Sequence, residues 1–243
     1  TVLVNSFSIV KTLSSKILTY KALSKDKKLL PIWNKISSKK NLINYLEYFM
    51  RRFGSAVVKP SNSRGGRNVF IIKKKKIKKK YLKNSRVLKI CFDEFKKKII
   101  KKLNRKFPLI ITEELFGPVY DLDIISKKSK LVVAVFRKRI IPSDPNSGHE
   151  IIYNKKIIIL AKKISKLLKI NHLIDCDLMQ DKNKNFKVLE VNPRPSGSFA
   201  ISNVAGFNLY DVLFDILFKK KLNVKKIYYK RISKNILDNY IQK

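Results

Sequence analysis

The chain has 243 residues, 44% of them hydrophobic, a composition that excludes wholesale disorder and suffices for one domain or two lobes with a packed core. Its 56 basic residues outnumber its 17 acidic residues and give a formal net charge of +39. This charge favours an anionic partner such as ATP, nucleic acid or an acidic membrane. An AT-rich genome is the alternative cause, because the excess is nearly all Lys beside abundant Ile and Asn.

The cysteines and the apolar runs bear on the location of the protein. Cys91 and Cys176 lie far apart in the sequence and predict neither a disulfide framework nor a zinc site. No apolar run approaches the roughly 20 residues of a membrane span, and no signal peptide opens the chain. We therefore expect a cytoplasmic protein without a membrane partner. Because Thr1 is not an initiator Met, we also expect a fragment or a processed product.

The first quarter of the chain predicts two helices followed by two strands. Residues 11–23 have helical character, and Ser38 is a candidate N-cap for a helix over residues 39–53. Residues 56–60 then predict a buried strand, and residues 69–72 predict its partner. The pattern indicates a hairpin with a long polar connection.

A glycine-containing loop forms that connection and spans residues 61–68, including Ser61, Gly65 and Gly66. Backbone N–H groups in such a loop can fold over phosphates. It is not a Walker loop, because the Gly-x4-Gly-Lys-Ser/Thr spacing is absent and no helix follows directly. A Gly-Gly loop by itself is typical of an ordinary turn, but Lys59, just before it, favours a phosphate-binding role.

The next segments are strongly basic. Residues 73–80 are mostly Lys and predict a solvated loop, and no aromatic platform or nucleic-acid motif accompanies them. Residues 93–106 predict a basic amphipathic helix, and residues 109–112 predict a strand. The strand leads into residues 113–118, with the sequence EELFGP.

Two antiparallel strands are predicted over residues 120–126 and 131–139. Arg137 and Arg139 share one face of the second strand, where they are candidates to line a cleft. Residues 141–150 are rich in Pro, Ser and Gly and predict a loop, compatible with an acceptor-binding edge.

The two histidines show no partner pattern, so His149 and His172 favour non-catalytic roles. Residues 155–168 predict a helix with one apolar face, and Asn208 is a candidate N-cap for a last helix. Residues 219–243 form a basic tail in which the sequence indicates no chemistry.

The most informative stretch is residues 177–197, which predict two apolar strands joined by a polar turn at residues 181–185. Because strand side chains alternate between faces, Glu190 and Asn192 share a face, and Asp177 should lie near Glu190 across the ladder. These are hard oxygen ligands of the kind that bind Mg²⁺ together with substrate phosphates. Ordinary surface acids are the alternative, but acids inside apolar strands are costly without a role.

This stretch resembles the ATP-grasp superfamily in its carbamoyl-phosphate-synthetase-like branch. Arg194 supplies a planar fork suited to phosphate or carboxylate. The family signature is an Asp on one strand, Glu-x-Asn on the next and then Pro-Arg, and its matches here are Asp177, Glu190, Asn192, Pro193 and Arg194. The segment VVKPSNSRGGRNV also resembles the ATP-binding Lys of the family and its mobile glycine-rich loop.

The resemblance implies a nucleotide site in which one hinge Glu faces the exocyclic amine of adenine, and the backbone of the following residues pairs with the ring. The implied ATP-binding residues are Lys16, Lys59, Ser61, Gly65, Gly66, Glu113, Glu114, Leu115 and Phe116. For Lys16, a solvated helix lysine is the alternative. The chain departs from the family pattern at Ser15, usually Asp, and at Val119, usually the Glu that holds the ribose hydroxyls.

The implied fold is α+β, with two α/β lobes whose largely antiparallel sheets clasp ATP. Residues 1–112 would form the first lobe and residues 113–243 the second, while the preATP-grasp domain that the family usually carries is not visible. The implied activity is that of a ligase that uses ATP and Mg²⁺ (or Mn²⁺) to activate a small carboxylate as an acylphosphate for attack by an amine or similar nucleophile. Lys59 and Arg194 would be catalytic, and the metal ligands would be Asp177, Glu190 and Asn192.

Two alternatives remain at this point. A degenerate ATP-grasp module would bind nucleotide without turnover, as Val119 and the missing front domain suggest. A basic nucleic-acid-binding protein would account for the charge, although no nucleic-acid motif supports it. Neither the substrates nor the oligomeric state follows from the sequence.

Overall fold

The structure, a computed structural model, describes residues 4–63, 66–82, 85–103, 107–204, 208–220 and 231–233. A first six-stranded sheet has the order β1-β6-β2-β3-β5-β4. Its strands are β1 (Trp33–Ile36), β2 (Ser55–Pro60), β3 (Phe70–Lys73), β4 (Lys80–Tyr81), β5 (Leu88–Cys91) and β6 (Leu109–Thr112). Neighbouring strands are antiparallel except for the parallel pair β3 and β5. The predicted hairpin around the glycine-containing loop is confirmed by the pairing of β2 with β3.

A second six-stranded sheet is antiparallel throughout and has the order β11-β10-β7-β8-β9-β12. Its strands are β7 (Val119–Lys127), β8 (Lys130–Ile141), β9 (Asp144–Ile151), β10 (Leu173–Gln180), β11 (Phe186–Asn192) and β12 (Arg231–Ser233). The predicted α+β class with largely antiparallel sheets is therefore confirmed.

The helices are α1 (Phe7–Leu13), α2 (Lys16–Leu23), α3 (Lys39–Phe53), α4 (Phe92–Glu94), α5 (Lys155–Leu167), α6 (Ala200–Val204) and α7 (Leu209–Leu217). Helix α4 continues through a π-helical turn (Phe95–Ile99) and a 3₁₀ turn (Ile100–Leu103), and another 3₁₀ turn covers Lys27–Leu29. The predicted N-caps are confirmed, because Ser38 accepts from the N–H of Asn41 and Asn208 from that of Tyr210. Within the described ranges, no helix combines the length and apolarity that a bilayer crossing requires.

The N-terminal helices differ from the prediction in two ways. The predicted helical stretch over residues 11–23 is two helices, because Ser15 interrupts it and caps α2 by accepting from the N–H of Leu18. Both helices pack in the core of the second sheet, although the sequence analysis placed them in a first lobe of residues 1–112. The physical reason is the apolar face of α2, whose Tyr20 is fully buried there. The boundary at residue 112 itself stays a prediction.

The two faces of the second sheet have different chemistry. One face is apolar along its length and packs against α2 and α5, with Leu122, Ile124 and Leu178 in the shared core. The opposite face begins apolar beneath α7 and becomes charged toward the other end of the strands, where Asp121 and Arg137 are buried. The polar end of this second face is where the predicted metal hairpin lies.

One predicted loop is in fact part of this sheet. Residues 141–150 were expected to form an irregular edge, but β9 pairs with β8 after a short turn at residues 142–143. The Pro, Ser and Gly content misled the prediction because a ladder with β8 supplies the hydrogen bonds that hold this segment extended. The strand carries His149 into the protein interior, directly opposite Arg139.

Candidate active site

The predicted metal hairpin forms with the predicted register. Asp177 on β10 pairs with Glu190 on β11, so the two carboxylates project from adjacent strands on one face. On its other side β10 pairs with β7, which adds two further acids to the same face. The resulting rows across the three strands are Asp121, Asp177 and Glu190, and next to it Asp123, Asp175 and Asn192. We call these six residues the acid rows.

Lys16 reaches the acid rows from the first turn of α2. Its Nζ lies 3.2 Å from Oε1 of Glu190 and donates to the carbonyl oxygen of Ser63 at 2.6 Å. Only 6% of Lys16 is exposed, so the structure does not place it as a solvated helix lysine. One ammonium group thus contacts both a predicted metal ligand and the start of the glycine-containing loop.

Lys59, on β2 of the first sheet, also faces β11. Its Nζ donates to the carbonyl oxygen of Leu189 at 3.1 Å and lies 3.5 Å from the hydroxyl of Tyr20. Burial and, to a smaller extent, the positive charge of Lys16 lower the pKa of Lys59 to about 8, against the opposing effects of Glu190 and Asp177. The two predicted phosphate-binding lysines therefore converge on the strand that carries Glu190.

The glycine-containing loop begins against the N-terminus of α2. The carbonyl oxygen of Ser61 accepts from the N–H of Lys16 at 3.0 Å, and the hydroxyls of Ser61 and Ser15 lie 2.8 Å apart. Gly66 has φ of +69°, a conformation that favours glycine. Gly65 lies outside the described residues, so its predicted role stays a prediction.

The predicted hinge connects the two sheets. Oε1 of Glu113 accepts from the N–H of Ile32 at 2.8 Å, so this carboxylate is bonded to the backbone before β1. Glu114 forms an ion pair with Lys73 of β3, and the Nζ of Lys73 lies 4.9 Å from the ring centre of Phe116, which is 73% exposed. Both of these side-chain contacts hold the hinge against the first sheet.

A cleft of about 860 Å³ opens at this hinge. The four predicted hinge residues, Glu113 to Phe116, line it together with Trp33, Arg52 and Lys187. The cleft does not include Lys16, Lys59, Asp177 or Glu190, so it is a separate feature from the acid rows. Charged residues line the cleft as well, among them Arg52, Glu113 and Lys187, but the predicted metal ligands lie at the acid rows.

The second acid row contains oxygens without partners. Asn192 donates its amide to Oδ2 of Asp175 at 3.3 Å, whereas Oδ1 of Asp175 is buried without a hydrogen bond. Burial raises the pKa of Asp175 well above its usual range, and the charges of Asp177 and Asp123 add to this. Burial also raises the pKa of Asp177 to about 7, although the cation of Arg139 opposes the rise.

The donor set suits a hard divalent cation. Asp121, Asp175 and Asp177 each offer a carboxylate oxygen, and these three oxygens lie within 4.8 Å of one another. Oxygen-only ligands and a buried carboxylate oxygen without a partner match what Mg²⁺ or Mn²⁺ binds. The predicted ligands Asp177, Glu190 and Asn192 are adjacent to this group and include one of its members.

Two arginines of β8 bind the acids from the interior side. Arg137 is fully buried and donates to Asp123 at 2.6 Å and to Ser196 and Ser198 of the segment after β11. Arg139 bridges Asp121 and Asp177. The predicted shared orientation of the two arginines is correct, but Arg137 faces a buried carboxylate and not an open cleft.

The sequence analysis did not identify Asp121, Asp123 or the contacts of His149. The sequence around His149 shows no partner pattern, but the Nε2 of His149 lies 2.8 Å from Oδ2 of Asp121. Burial lowers the pKa of His149, against the favourable contact with Asp121. A signal was available, because Asp121-Leu122-Asp123 repeats the Asp-x-Asp spacing of Asp175-Cys176-Asp177 on an adjacent strand.

Arg194 follows the metal hairpin and is exposed. Its Nη1 donates to the carbonyl oxygen of Pro195 at 2.7 Å, and this short-range contact leaves the guanidinium on the surface next to β11. Its assignment as a catalytic residue stays a prediction.

Comparisons with known proteins agree with this geometry. A family model described as ATP-grasp in the biosynthetic pathway with Ter operon matches residues 105–236. No curated protein sequence matches the chain. The fold is similar to that of N5-carboxyaminoimidazole synthase from Aspergillus clavatus in complex with ADP and an aminoimidazole ribonucleotide, with a TM-score of 0.67 and 10% identity over 93% of this chain and 57% of that one.

Two further solved structures are similar at the level of the fold. Phosphoribosylamine–glycine ligase from Thermotoga maritima has a TM-score of 0.67 and 13% identity, covering 93% of this chain and 59% of the other. L-Amino acid ligase from Bacillus licheniformis has a TM-score of 0.60 and 14% identity, covering 98% of this chain and 52% of the other. The chain thus spans a little over half the length of each of these three proteins.

The matched family segment covers more than half of the chain and contains the hinge and both acid rows. The N-terminal residues that face the acid rows lie before this segment. The fold similarities independently indicate the same architecture. The chain therefore belongs to the ATP-grasp family described as ATP-grasp in the biosynthetic pathway with Ter operon.

Proposed function

We propose that this chain is the ATP-binding and catalytic part of an ATP-dependent ligase that activates a carboxylate as an acylphosphate for attack by an amine or similar nucleophile. The observation that carries the proposal is the direct pairing of Asp177 with Glu190. The Nζ of Lys16 lies 3.2 Å from Glu190, and the Nζ of Lys59 donates to the backbone carbonyl oxygen just before it. Carboxylates for a metal and ammonium groups for phosphates are thereby side by side, which is what phosphoryl transfer requires.

Asp177, Glu190 and Asn192 would hold Mg²⁺ or Mn²⁺. When bound there, the ion neutralises charge on the phosphate oxygens during transfer. The support is the all-oxygen donor set on one face of β10 and β11 and the oxygen of Asp175 that lacks a partner.

Lys16 and Lys59 would bind the phosphates. Lys16 is paired with Glu190, and this pairing compensates the charge of the buried ammonium group. When a nucleotide binds, its phosphates would replace Glu190 as the partner of Lys16 and release the Glu190 carboxylate for the metal. Lys59 would then stabilise the negative charge that accumulates on the transferring group.

The hinge would hold the adenine through its backbone. Ile32 donates to one carboxylate oxygen of Glu113, so the other oxygen would face the exocyclic amine of adenine, and backbone groups of Leu115 and Phe116 would pair with the ring edge. The ion pair of Glu114 with Lys73 supports this reading, since it holds the hinge against the first sheet. Glu113 would therefore contact the base, and Glu114 would fix the position of the hinge.

The remaining proposed roles concern the transferred group. Arg194 would bind the acylphosphate or the acceptor carboxylate, because its guanidinium is exposed beside the metal strand and its planar fork suits either anion. The loop over residues 61–68 would exclude water, which otherwise hydrolyses the activated carboxylate. Small carboxylates and amines are proposed as substrates because the similar solved structures include a glycine ligase and an amino acid ligase.

The decisive experiment measures ADP formation by the full-length gene product with a panel of amino acids and small carboxylates. Glu190→Ala should abolish Mg²⁺-dependent ADP release while the far-ultraviolet circular dichroism stays unchanged. Glu47→Ala is the matched control, because Glu47 is an exposed acid on α3 far from the acid rows in the sequence. Normal turnover by Glu190→Ala would refute the site assignment.

A second candidate function is nucleotide binding without turnover. It is favoured by Val119, which occupies the position of the usual ribose-binding Glu and lies half-buried at the start of β7 opposite Met179. This candidate predicts thermal stabilisation by ATP without ADP release for every acceptor tested. ADP release with any acceptor would exclude it.

A further inference from the structure

A chain of hydrogen bonds runs through the second sheet from the protein interior to Asp177. It begins at His149 on β9, whose Nε2 lies 2.8 Å from Oδ2 of Asp121 on β7. Arg139 on β8 donates to both oxygens of Asp121, at 2.8 Å from Nε and 2.6 Å from Nη2. The same Nη2 donates to Oδ1 of Asp177 on β10 at 2.8 Å.

Exposure rises in one direction along this chain. The side chains of His149 and Asp121 are 0% and 2% exposed, whereas those of Arg139 and Asp177 are 13% and 26% exposed. The inner members are therefore fixed by packing, and the outer end is the carboxylate that faces the site. Each member is also held by its own strand, because Arg139 and His149 are direct partners in the β8–β9 ladder and Asp121 and Asp177 in the β7–β10 ladder.

The position between Asp121 and Asp177 could instead suggest a second cation site, since both belong to the group of carboxylates that lie within 4.8 Å. The guanidinium of Arg139 already occupies that position and contacts both acids. Both oxygens of Asp121 are hydrogen-bonded, by Arg139 and by His149. Asp121 therefore serves as the anchor of Arg139, and Asp175 and Asp177 are the members of this group that remain as donors for a cation.

We propose that Arg139, anchored by Asp121 and His149, is a positioning residue that orients the carboxylate of Asp177 toward the nucleotide-bound metal. The proposal rests on the proposed function, in which Asp177 is a metal ligand. Arg139 uses only Oδ1 of Asp177 in the structure, and a fixed carboxylate presents its other oxygen in a defined direction. Groups that orient metal ligands in this way typically contribute about 10- to 100-fold to metal affinity.

The test measures Mn²⁺ binding to the full chain by electron paramagnetic resonance, with ADP present and without any acceptor. Arg139→Met should weaken Mn²⁺ binding by about 10- to 100-fold. Its affinity for ADP without metal should stay unchanged, which a general collapse of the site would not allow. Lys138→Met is the matched control, because it removes the neighbouring positive charge on β8, whose pair with Glu150 is exposed.

His149 provides a second pair of variants that does not touch Arg139. His149→Gln retains an N–H donor for Asp121, and His149→Leu removes it. We expect Mn²⁺ binding to be weaker in the Leu variant than in wild type, and close to that of wild type in the Gln variant. The proposal is overturned if wild type and Arg139→Met bind Mn²⁺ with equal affinity. If Arg139→Met does not fold, equal affinities of wild type and His149→Leu overturn it instead.

Asp177→Asn separates this proposal from the proposed function. If Asp177→Asn weakens Mn²⁺ binding but Arg139→Met does not, only the positioning role of Arg139 is refuted. If Asp177→Asn binds Mn²⁺ as wild type does, the metal assignment itself is wrong and both proposals are refuted.

Discussion

Lys16 and Glu190 form an ion pair of 3.2 Å between residues that are 174 positions apart in the sequence. The same ammonium group donates to the carbonyl oxygen of Ser63. A single side chain therefore connects α2, the glycine-containing loop and β11. On the proposed function, the Lys16 ammonium group would exchange its contact with Glu190 for a contact with a phosphate group. The following predictions concern this pair and the residues that surround it.

Lys16→Met should weaken the binding of a non-hydrolysable ATP analogue by about 10- to 100-fold, because a hydrogen bond to a charged group contributes about 1.5–3 kcal/mol. Isothermal titration calorimetry in the presence of Mg²⁺ measures the effect. Lys21→Met is the control, since Lys21 is an exposed lysine of the same helix. Equal affinities in the two variants would contradict a phosphate-binding role for Lys16.

ATP affinity should decrease as the pH rises through about 8, the pKa to which burial and the charge of Lys16 lower Lys59. The phosphates bind the ammonium form, and above that pH Lys59 is increasingly neutral. Lys59→Arg should bind ATP with little pH dependence over this range, because a guanidinium stays charged. A wild-type profile as flat as that of Lys59→Arg would contradict the prediction.

The same shift has the opposite sign for stability. The folded chain loses the Lys59 proton at about 8 and the unfolded chain at about 10.5, so the unfolded state binds more protons between these values. The contribution of Lys59 to the free energy of unfolding therefore rises with pH across this window. This contribution is complete above about 10.5 and disappears as the pH falls through about 8. Urea denaturation of wild type and Lys59→Met across the window measures it, and we expect the difference in free energy of unfolding between the two proteins to change with pH as Lys59 titrates.

Arg137→Met should lower the free energy of unfolding by about 3–5 kcal/mol, because it leaves the buried carboxylate of Asp123 without its cation. Urea denaturation measures the loss. Lys138→Met should cost no more than about 1 kcal/mol, since its contact with Glu150 is exposed and 3.8 Å long. Similar losses in the two variants would contradict the importance of the buried pair.

Gly117→Ala should lower the free energy of unfolding by about 1–3 kcal/mol, because a Cβ at Gly117 would lie 2.8 Å from the Cβ and the carbonyl oxygen of Gln180. Gly197→Ala is the matched control, since nothing lies within 4 Å of a Cβ at Gly197. Thermal and urea denaturation of both variants measure the difference. An unchanged Gly117→Ala protein would show that the hinge can shift away from β10.

The parts of the fold that the sequence predicted correctly depend on local chemistry. Ser38 and Asn208 cap their helices because their side chains accept from N–H groups two or three residues ahead. The facing positions of Asp177 and Glu190 follow from the alternation of strand side chains and from the short turn between them. Neither inference needed knowledge of a distant residue.

The parts that it missed depend on distant partners. The segment that became β9 has a loop-like composition, and only its ladder with β8 makes it a strand. His149 has no partner pattern because Asp121 lies 28 residues away and on another strand. The packing of α1 and α2 in the core of the second sheet, which follows them by about a hundred residues in the chain, has the same cause.

The amino-acid sequence by itself determined the caps of α3 and α7 and the facing positions of Asp177 and Glu190, because cap, turn and alternation signals act over a few residues. Only the tertiary structure decided which cation compensates which carboxylate, with Lys16 paired to Glu190, Arg137 to Asp123 and Arg139 to Asp121 and Asp177. The physical reason is that a charge enters a protein interior only with a partner, and the packing of distant strands and helices selects that partner.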